Sequence, residues 1–188
     1  MYGVEEEKTW ASLIGQLILA GGHCEHHVDV LLRGWCSTAT FHAVAKLEYM
    51  DRLKLATTLV HERVDSLGVE NAGALEATLD RMAKLIPTRN LIAHNAFGIR
   101  SGGGREPHGV IQRLESTRKG KTFSNKITTI ELDELQAKVL SMEEVAKLVS
   151  GSLPALLHQA SLMRKHGRVE PLMYPLEAPL LPWDPKWR

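Results

Sequence analysis

A repeating pattern of apolar residues is the feature that most restricts the folds available to this chain. From Trp10 onward, apolar side chains recur every three or four positions, the spacing that places them along one face of an α-helix. Three later stretches repeat this spacing, so the sequence predicts a mainly helical protein whose helices each bury one face. The apolar positions of the first stretch are Leu13, Ile14, Leu17, Gly21, Cys24, Val28, Leu31, Leu32 and Trp35.

Three helices are predicted before residue 100. We place the first at about residues 9–34 and the second at 41–60. A third apolar stripe begins at Leu75 and is closed by Gly98, because glycine commonly ends helices. Pro87 lies inside this stripe, where it removes a backbone donor and crowds the preceding turn. A kink or a restart of the third helix is therefore expected at Pro87.

The second half of the chain is predicted to hold a hairpin and one long helix. Clusters of β-branched residues on both sides of a basic loop indicate an inserted β-hairpin at about residues 108–130. Thr128 with Glu131 three positions on matches a capping box, so a fourth helix is expected to start there. Gly151 and Pro154 are expected to bend or split that helix.

These elements predict one helical domain followed by an arm. With 188 residues and 44% hydrophobic content, the chain is long enough to bury a single core. The expected fold is all-α, an up-and-down bundle of four to five helices that carries the small inserted β-hairpin, over residues 1–169. Residues 170–188 contain five prolines and two tryptophans, which favours an extended Pro-rich arm that packs on its own domain or on a second copy.

Charge and cysteine content limit the classes of function. The formal net charge is only +1, so no overall field attracts the protein to nucleic acid or anionic membrane. The acidic start and the lack of any apolar run near ~18 residues predict a cytoplasmic protein without membrane contact. Cys24 and Cys36 would lie ~18 Å apart along one helix, so we expect buried free thiols and no disulfide.

The polar segment Arg89-Asn90-Leu91-Ile92-Ala93-His94 in the third helix carries the strongest candidates for chemistry. Asn90 and His94 are four residues apart and share a helix face, so the amide is expected to orient the imidazole. Arg89 projects about 140° away from His94 and ~7.5 Å along the helix axis. A bend at Pro87, or a second chain, would be needed to bring an arginine and a histidine to one phosphate.

Residues 88–95 resemble the R-N-x-x-x-H signature of HEPN domains, one form of a broader pattern in which Arg and His are separated by four to six residues. HEPN domains are helical bundles whose third major helix carries the signature. Residues 14–32, which include Glu25, look like the first helix of that family, and residues 41–59 resemble its second. The resemblance covers roughly residues 9–165.

This resemblance implies a metal-independent endoribonuclease of a toxin or defence system, without a cofactor, in which a homodimer places both motifs at one cleft. His94 would be the general base or acid, Arg89 would hold the phosphate, and Asn90 would position them. Glu25 would have a supporting role beside Arg89 or His94. RNA is the implied substrate, and an antitoxin or a nucleotidyltransferase is a possible partner. The alternative is a non-catalytic HEPN-like module that binds RNA, a nucleotide or a protein.

Two further groups of residues are weaker candidates. Seven Lys or Arg residues stand against two acids between positions 99 and 126, so the hairpin is expected to grip RNA phosphates, or else to be a solvated edge. The proposed RNA-binding residues are Arg113, Arg118, Lys119 and Lys121. His23 and His27 are spaced to share a metal, but no third ligand is evident and no metal site is expected.

Overall fold

The computed structural model describes residues 4–102, 105–116 and 123–165. These residues are mostly helical, as expected, and they include one small antiparallel sheet. The elements are α1 (Val4–Trp35), α2 (Thr38–Val44), α3 (Tyr49–Glu62), α4 (Val64–Leu67), α5 (Val69–His94), β1 (Ala96–Gly102), β2 (Arg105–Ser116), β3 (Phe123–Ile130) and α6 (Leu132–Lys165). No helix among the described residues is long and apolar enough to cross a membrane.

Helix α1 supplies the central face of the core. Its predicted apolar stripe is buried from Trp10 to Trp35, with Leu17, Cys24 and Val28 fully excluded from solvent. The stripe packs against α3, α5 and α6, whose own apolar residues belong to the same core cluster. Because burying one large apolar side chain stabilises a fold by roughly 1.5–3 kcal/mol, this shared core holds the long helices together.

The second predicted helix is in fact two helices. Helix α2 ends at Val44 and α3 starts at Tyr49, after Glu48 takes an extended conformation (φ −61°, ψ 151°). Residues 41–60 contain neither glycine nor proline, so the sequence carries no local signal for this break. Ser37 begins α2 by accepting a hydrogen bond from the Thr40 amide at 3.2 Å, an N-cap that the prediction also missed.

The helices do not simply alternate in direction. Arg52 near the start of α3 reaches Glu25 and Asp29 of α1. Arg63, just after α3, donates a hydrogen bond from Nη2 to the carbonyl of Trp35 at the end of α1 (3.2 Å). These contacts advance together along both helices, so α3 runs in the same general sense as α1, and the α2 segment carries the chain back. The predicted up-and-down order is therefore not confirmed.

Helix α5 runs without interruption through Pro87 to His94, so the helix does not restart there. The predicted extension of the third helix to Gly98 is wrong, because the chain leaves the helix at Asn95 (φ −130°, ψ 161°) and enters β1. The Asn95 side-chain amide donates to the Leu91 carbonyl at 2.8 Å and occupies a backbone acceptor at the helix end. Phe97 then packs on Trp10, with 5.7 Å between ring centroids.

The sheet has three strands in the order β1-β2-β3, with antiparallel pairing throughout. The predicted hairpin corresponds to β2 and β3, and β1 is an additional strand, of which only the first residues, up to Phe97, were assigned to the third helix. Ile111 of β2 is opposite Phe97 and Thr128, and it contributes to the core together with Ile130. Gly109 is required at its position, because a Cβ there would lie 2.7 Å from the Phe97 ring.

The start of α6 differs from the prediction as well. Thr128 is a β3 residue, so it does not cap a helix, and α6 begins at Leu132 with the Leu135 amide donating to the Glu131 carbonyl (3.0 Å). The helix continues past Gly151 and Pro154 to Lys165, so it is not split. The predicted arm at residues 170–188 lies outside the described residues.

Candidate active site

Arg89 is half-buried on α5, and its side chain lies flat across Gly21 of α1. An ideal Cβ at position 21 would be 2.9 Å from the Arg89 Cγ and 3.2 Å from its Nε, closer than side chains normally approach. The missing side chain of Gly21 therefore leaves the space in which Arg89 is held. The Nε of Arg89 is buried there without a hydrogen-bond partner.

Asn90 binds the neighbouring arginine and not the predicted histidine. Its Oδ1 accepts a hydrogen bond from Nη1 of Arg89 at 2.9 Å. Within the described part of the chain, Asn90 forms no hydrogen bond to His94, although the two residues share a helix face. Asn90 therefore orients the guanidinium of Arg89 and does not hold the imidazole of His94.

His94 is the last residue of α5 and is exposed to solvent. On this unbroken helix, five residues separate it from Arg89, which corresponds to ~7.5 Å along the axis and about 140° around it. Arg89 is directed toward α1, whereas His94 is open to solvent at the helix end. One chain therefore does not close both side chains around one small group.

Glu25 lies elsewhere than expected. Its carboxylate binds Nη2 of Arg52 at 2.5 Å, and Asp29, one turn further along α1, binds Nη1 of the same guanidinium. We call Glu25, Asp29 and Arg52 the carboxylate-arginine cluster. The supporting contact that we expected from Glu25 to Arg89 or His94 is not formed, because Arg52 holds the carboxylate.

Arg52 is the buried centre of this cluster. Its side chain is 11% exposed, against 33% for Glu25 and 31% for Asp29, and it lies over the Tyr49 ring at 5.6 Å from the centroid. Burial alone would lower the pKa of Arg52, but the hydrogen bonds and charges of Asp29 and Glu25 raise it. Burial, with the neighbouring Cys24 and Glu25, raises the pKa of the Tyr49 phenol far above its usual value. Arg52 thus stays charged and links α3 to two carboxylates of α1.

Sequence reasoning missed Arg52, because its partners lie 23 and 27 positions earlier in the chain. The available signal was the pair Glu25 and Asp29, which stand one turn apart at the edge of the apolar stripe. Two partly buried carboxylates at that spacing indicate a basic side chain from another helix, because buried charges are stable only when they are paired. The pattern does not say which basic residue supplies it.

A pair of basic residues lies beside the end of α5. Arg113 on β2 is directly opposite Lys126 on β3, and both are exposed. Gln112, the neighbour of Arg113, pairs with Ala96, which is only two residues beyond His94. The register therefore places Arg113 on the strand beside the start of β1, where the chain leaves α5, and Lys126 one strand further away. The other predicted RNA-binding residues, Arg118, Lys119 and Lys121, lie outside the described residues.

Three of the histidines and cysteines between positions 23 and 36 are buried, namely Cys24, His27 and Cys36. His27 is 6% exposed, and burial together with the charges of His26 and His23 lowers its pKa to about 4. Across the described ranges, no three His, Cys, Asp or Glu side chains are grouped so that they could hold a metal ion. Cys24 and Cys36 are buried free thiols, as predicted, and burial raises the pKa of Cys24 to about 12.

We compared the chain with models of known protein families, with curated proteins and with solved structures, and none of the three comparisons found a match. The resemblance of residues 88–95 to the HEPN signature therefore stays a prediction, and the geometry around Arg89 and His94 is what supports a function.

Proposed function

We propose that this protein is a metal-independent endoribonuclease of a toxin or defence system, with Arg89 and His94 as its catalytic residues. The observation that carries the proposal is the fixed placement of Arg89, which Gly21 and Asn90 hold in position on the helix that also carries the exposed His94. A pre-positioned guanidinium stabilises charge more effectively than a mobile one, because it needs no reorganisation during the reaction. The likeness of this segment to HEPN domains agrees with such a site.

The chemistry follows from the two side-chain types. A neutral imidazole accepts the proton of a ribose 2′-hydroxyl, and the resulting oxygen attacks the adjacent phosphorus. The bond from phosphorus to the 5′-oxygen breaks, and that oxygen takes up a proton from an imidazolium. Arg89 would neutralise the charge that develops on the phosphate oxygens. The products would be a 2′,3′-cyclic phosphate and a 5′-hydroxyl.

Two copies of the chain would complete the site. Arg89 and His94 leave the helix in different directions. An arginine and a histidine can therefore contact the same phosphate only if one of them comes from a second copy. We therefore propose a homodimer whose two α5 ends face each other across an RNA-binding cleft. An antitoxin or a nucleotidyltransferase partner stays a prediction from the family resemblance.

Arg113 and Lys126 would bind phosphates of the RNA backbone at the entrance of this cleft. Both are exposed at the end of the sheet that adjoins His94, so a strand bound there would have its phosphates near the imidazole. Contacts of this kind bind the backbone of any sequence and weaken as salt rises. They would position the substrate without selecting it.

The proposal is tested by incubating purified protein with single-stranded RNA in excess chelator and identifying the ends of the products. We expect cleavage in chelator, 2′,3′-cyclic phosphate ends, and no cleavage at a site where the 2′-hydroxyl is replaced by hydrogen. Cleavage of the 2′-deoxy site, or 3′-hydroxyl ends, would contradict the mechanism. Tight RNA binding without any cleavage would favour the non-catalytic module instead.

A further inference from the structure

Glu25 stands one helical turn from Gly21, the residue over which Arg89 of the proposed active site lies. Gly21, over which Arg89 lies, and Glu25 are four residues apart on α1, so they are neighbours on one side of that helix. Helix α5 runs antiparallel to α1, because Trp10 meets Phe97 while Gly21 meets Arg89. The two side chains therefore belong to facing helices at nearly the same level.

The direction of the side chains brings them closer still. Side chains on an α-helix lean toward the N-terminus of their own helix. In this antiparallel pair, Arg89 therefore leans along α1 toward the level of Glu25, and Glu25 leans back toward Gly21. A carboxylate released at position 25 would therefore face the part of α5 that carries Arg89, whose Nε is buried without a hydrogen-bond partner.

The structure prevents that pairing by holding Glu25 on a different arginine. Arg52 binds Glu25 and Asp29 together and lies on the face of Tyr49, so it satisfies both acids at once. Asn90 binds Arg89 through an amide oxygen, which carries no net charge. Among the described contacts Arg89 is therefore not paired with a carboxylate, whereas Arg52 binds both carboxylates of α1 and offsets one of their two negative charges.

We propose that Arg52 is a positioning residue that keeps Glu25 away from Arg89, so that Arg89 stays available to an RNA phosphate. Without Arg52, Glu25 pairs with Arg89 and competes with the phosphate for the same donors. The inference rests on the proposed ribonuclease function, but its effect on Arg89 is measurable without RNA. It also gives Glu25 a role opposite to the supporting one expected from the sequence, because a released Glu25 is inhibitory.

Asp29 provides a matched control for this idea. It binds the same arginine as Glu25 and is exposed to nearly the same degree, but it lies two turns from Gly21 instead of one. In the Arg52→Gln background, either second substitution removes one carboxylate that has lost its cation. Only the removal of the Glu25 carboxylate leaves Arg89 without a competing acidic partner.

The experiment compares RNA cleavage by the wild type, Arg52→Gln, Arg52→Gln with Glu25→Gln, Arg52→Gln with Asp29→Asn, and Glu25→Gln alone. Rates are expressed per folded protein, as measured by circular dichroism. We expect Arg52→Gln to cut at least tenfold more slowly, the added Glu25→Gln to restore the rate to within threefold of wild type, and the added Asp29→Asn to restore nothing. Glu25→Gln alone is expected to cut at the wild-type rate.

If Glu25→Gln and Asp29→Asn rescue cleavage equally, Arg52 has only a structural role. If Glu25→Gln alone abolishes cleavage, Glu25 takes part in catalysis. Either result overturns the inference. If Arg52→Gln does not fold, Arg52→Lys replaces it, because one ammonium group cannot hold both carboxylates in this geometry and the same rescue pattern is expected.

A second readout separates this inference from the proposed function. The Nε–H resonance of Arg89, assigned by its loss in Arg89→Lys, reports directly on an acceptor at that nitrogen. We expect it to move in Arg52→Gln and to return when Glu25→Gln is added, even if the protein cuts no RNA. A resonance that is the same in all variants would contradict the role of Arg52, whatever the fate of the ribonuclease proposal.

Discussion

Arg89 of α5 lies so close to Gly21 of α1 that a single methyl group at position 21 would displace it. The three atoms nearest to such a methyl group all belong to the flexible side chain of Arg89, so the helices can stay packed while the arginine moves. This relationship makes the position of a proposed catalytic group depend on a glycine that bears no functional atom.

Replacing Gly21 by alanine is expected to lower RNA cleavage at least tenfold while the protein stays folded. The new Cβ would force the Arg89 side chain out of its place and break its hydrogen bond to Asn90. Gly22→Ala is the matched control, because nothing lies within 4 Å of a Cβ at that position. It should keep wild-type cleavage and gain about 0.5–1 kcal/mol of stability from better helix propensity. Equal activity of the two variants, measured by initial rates, would contradict the role given to Gly21.

Acid is expected to destabilise the fold through His27. Burial, together with the neighbouring histidines, lowers its folded-state pKa from 6.5 to about 4, so between these pH values the unfolded chain binds a proton that the folded chain does not. The contribution of His27 is therefore unchanged above pH 6.5 and is lost as the pH falls toward 4, by about 3 kcal/mol at most.

Urea unfolding at pH 7 and pH 5 measures this loss. His27→Leu should show a smaller drop in stability between the two pH values than the wild type, whereas His42→Gln, at an exposed position on α2, should behave like the wild type. The prediction fails if His27→Leu loses as much stability on acidification as the wild type does.

Gly109 of β2 is expected to be harder to replace than Gly98 of β1. A Cβ there would lie 2.7 Å from the Phe97 ring and 2.8 Å from the Ile130 side chain, both of which pack against the core. Gly109→Ala should lower the free energy of unfolding by about 1–3 kcal/mol through overpacking. Gly98→Ala has nothing within 4 Å and should change stability far less. Chemical denaturation of both variants compares them directly.

Arg113 and Lys126 are expected to contribute to RNA affinity without changing its sequence preference. If each contacts one phosphate, replacing both by alanine should reduce the slope of log affinity against log salt by about 1.4 for single-stranded RNA. Lys54→Ala on α3 is the control and should leave the slope unchanged, since that lysine pairs with Asp51 away from the sheet. An unchanged slope in the double variant would remove this pair from the RNA-binding surface.

Much of the fold could be predicted because burial of one helix face leaves a periodic trace in the sequence. The stripe from Trp10 to Trp35 predicted α1, and its residues are buried as expected. Strand β1 was missed for the same reason, because Phe97 continues the spacing of α5 although the backbone has already become extended at Asn95. Period alone does not distinguish the last turn of a helix from the start of a buried strand.

The candidate site was predictable only where it is local in sequence. Arg89, Asn90 and His94 form a short motif, and their placement on one helix follows from its spacing. Gly21 and Arg52 act through contacts between helices, and nothing in the sequence near either residue identifies its partner. A bond from Asn90 to His94 was expected from helix spacing, but the adjacent guanidinium is the stronger donor and takes the amide oxygen.

The rate of RNA cleavage by Arg89→Ala and His94→Ala, beside the wild type in chelator, tests the central claim most directly. We expect each substitution to lower the single-turnover rate at least a hundredfold, with folding unchanged by circular dichroism, since one removes the phosphate contact and the other the proton acceptor. If both variants cut as fast as the wild type, or if the wild type itself does not cut, Arg89 and His94 are not the active site of a ribonuclease.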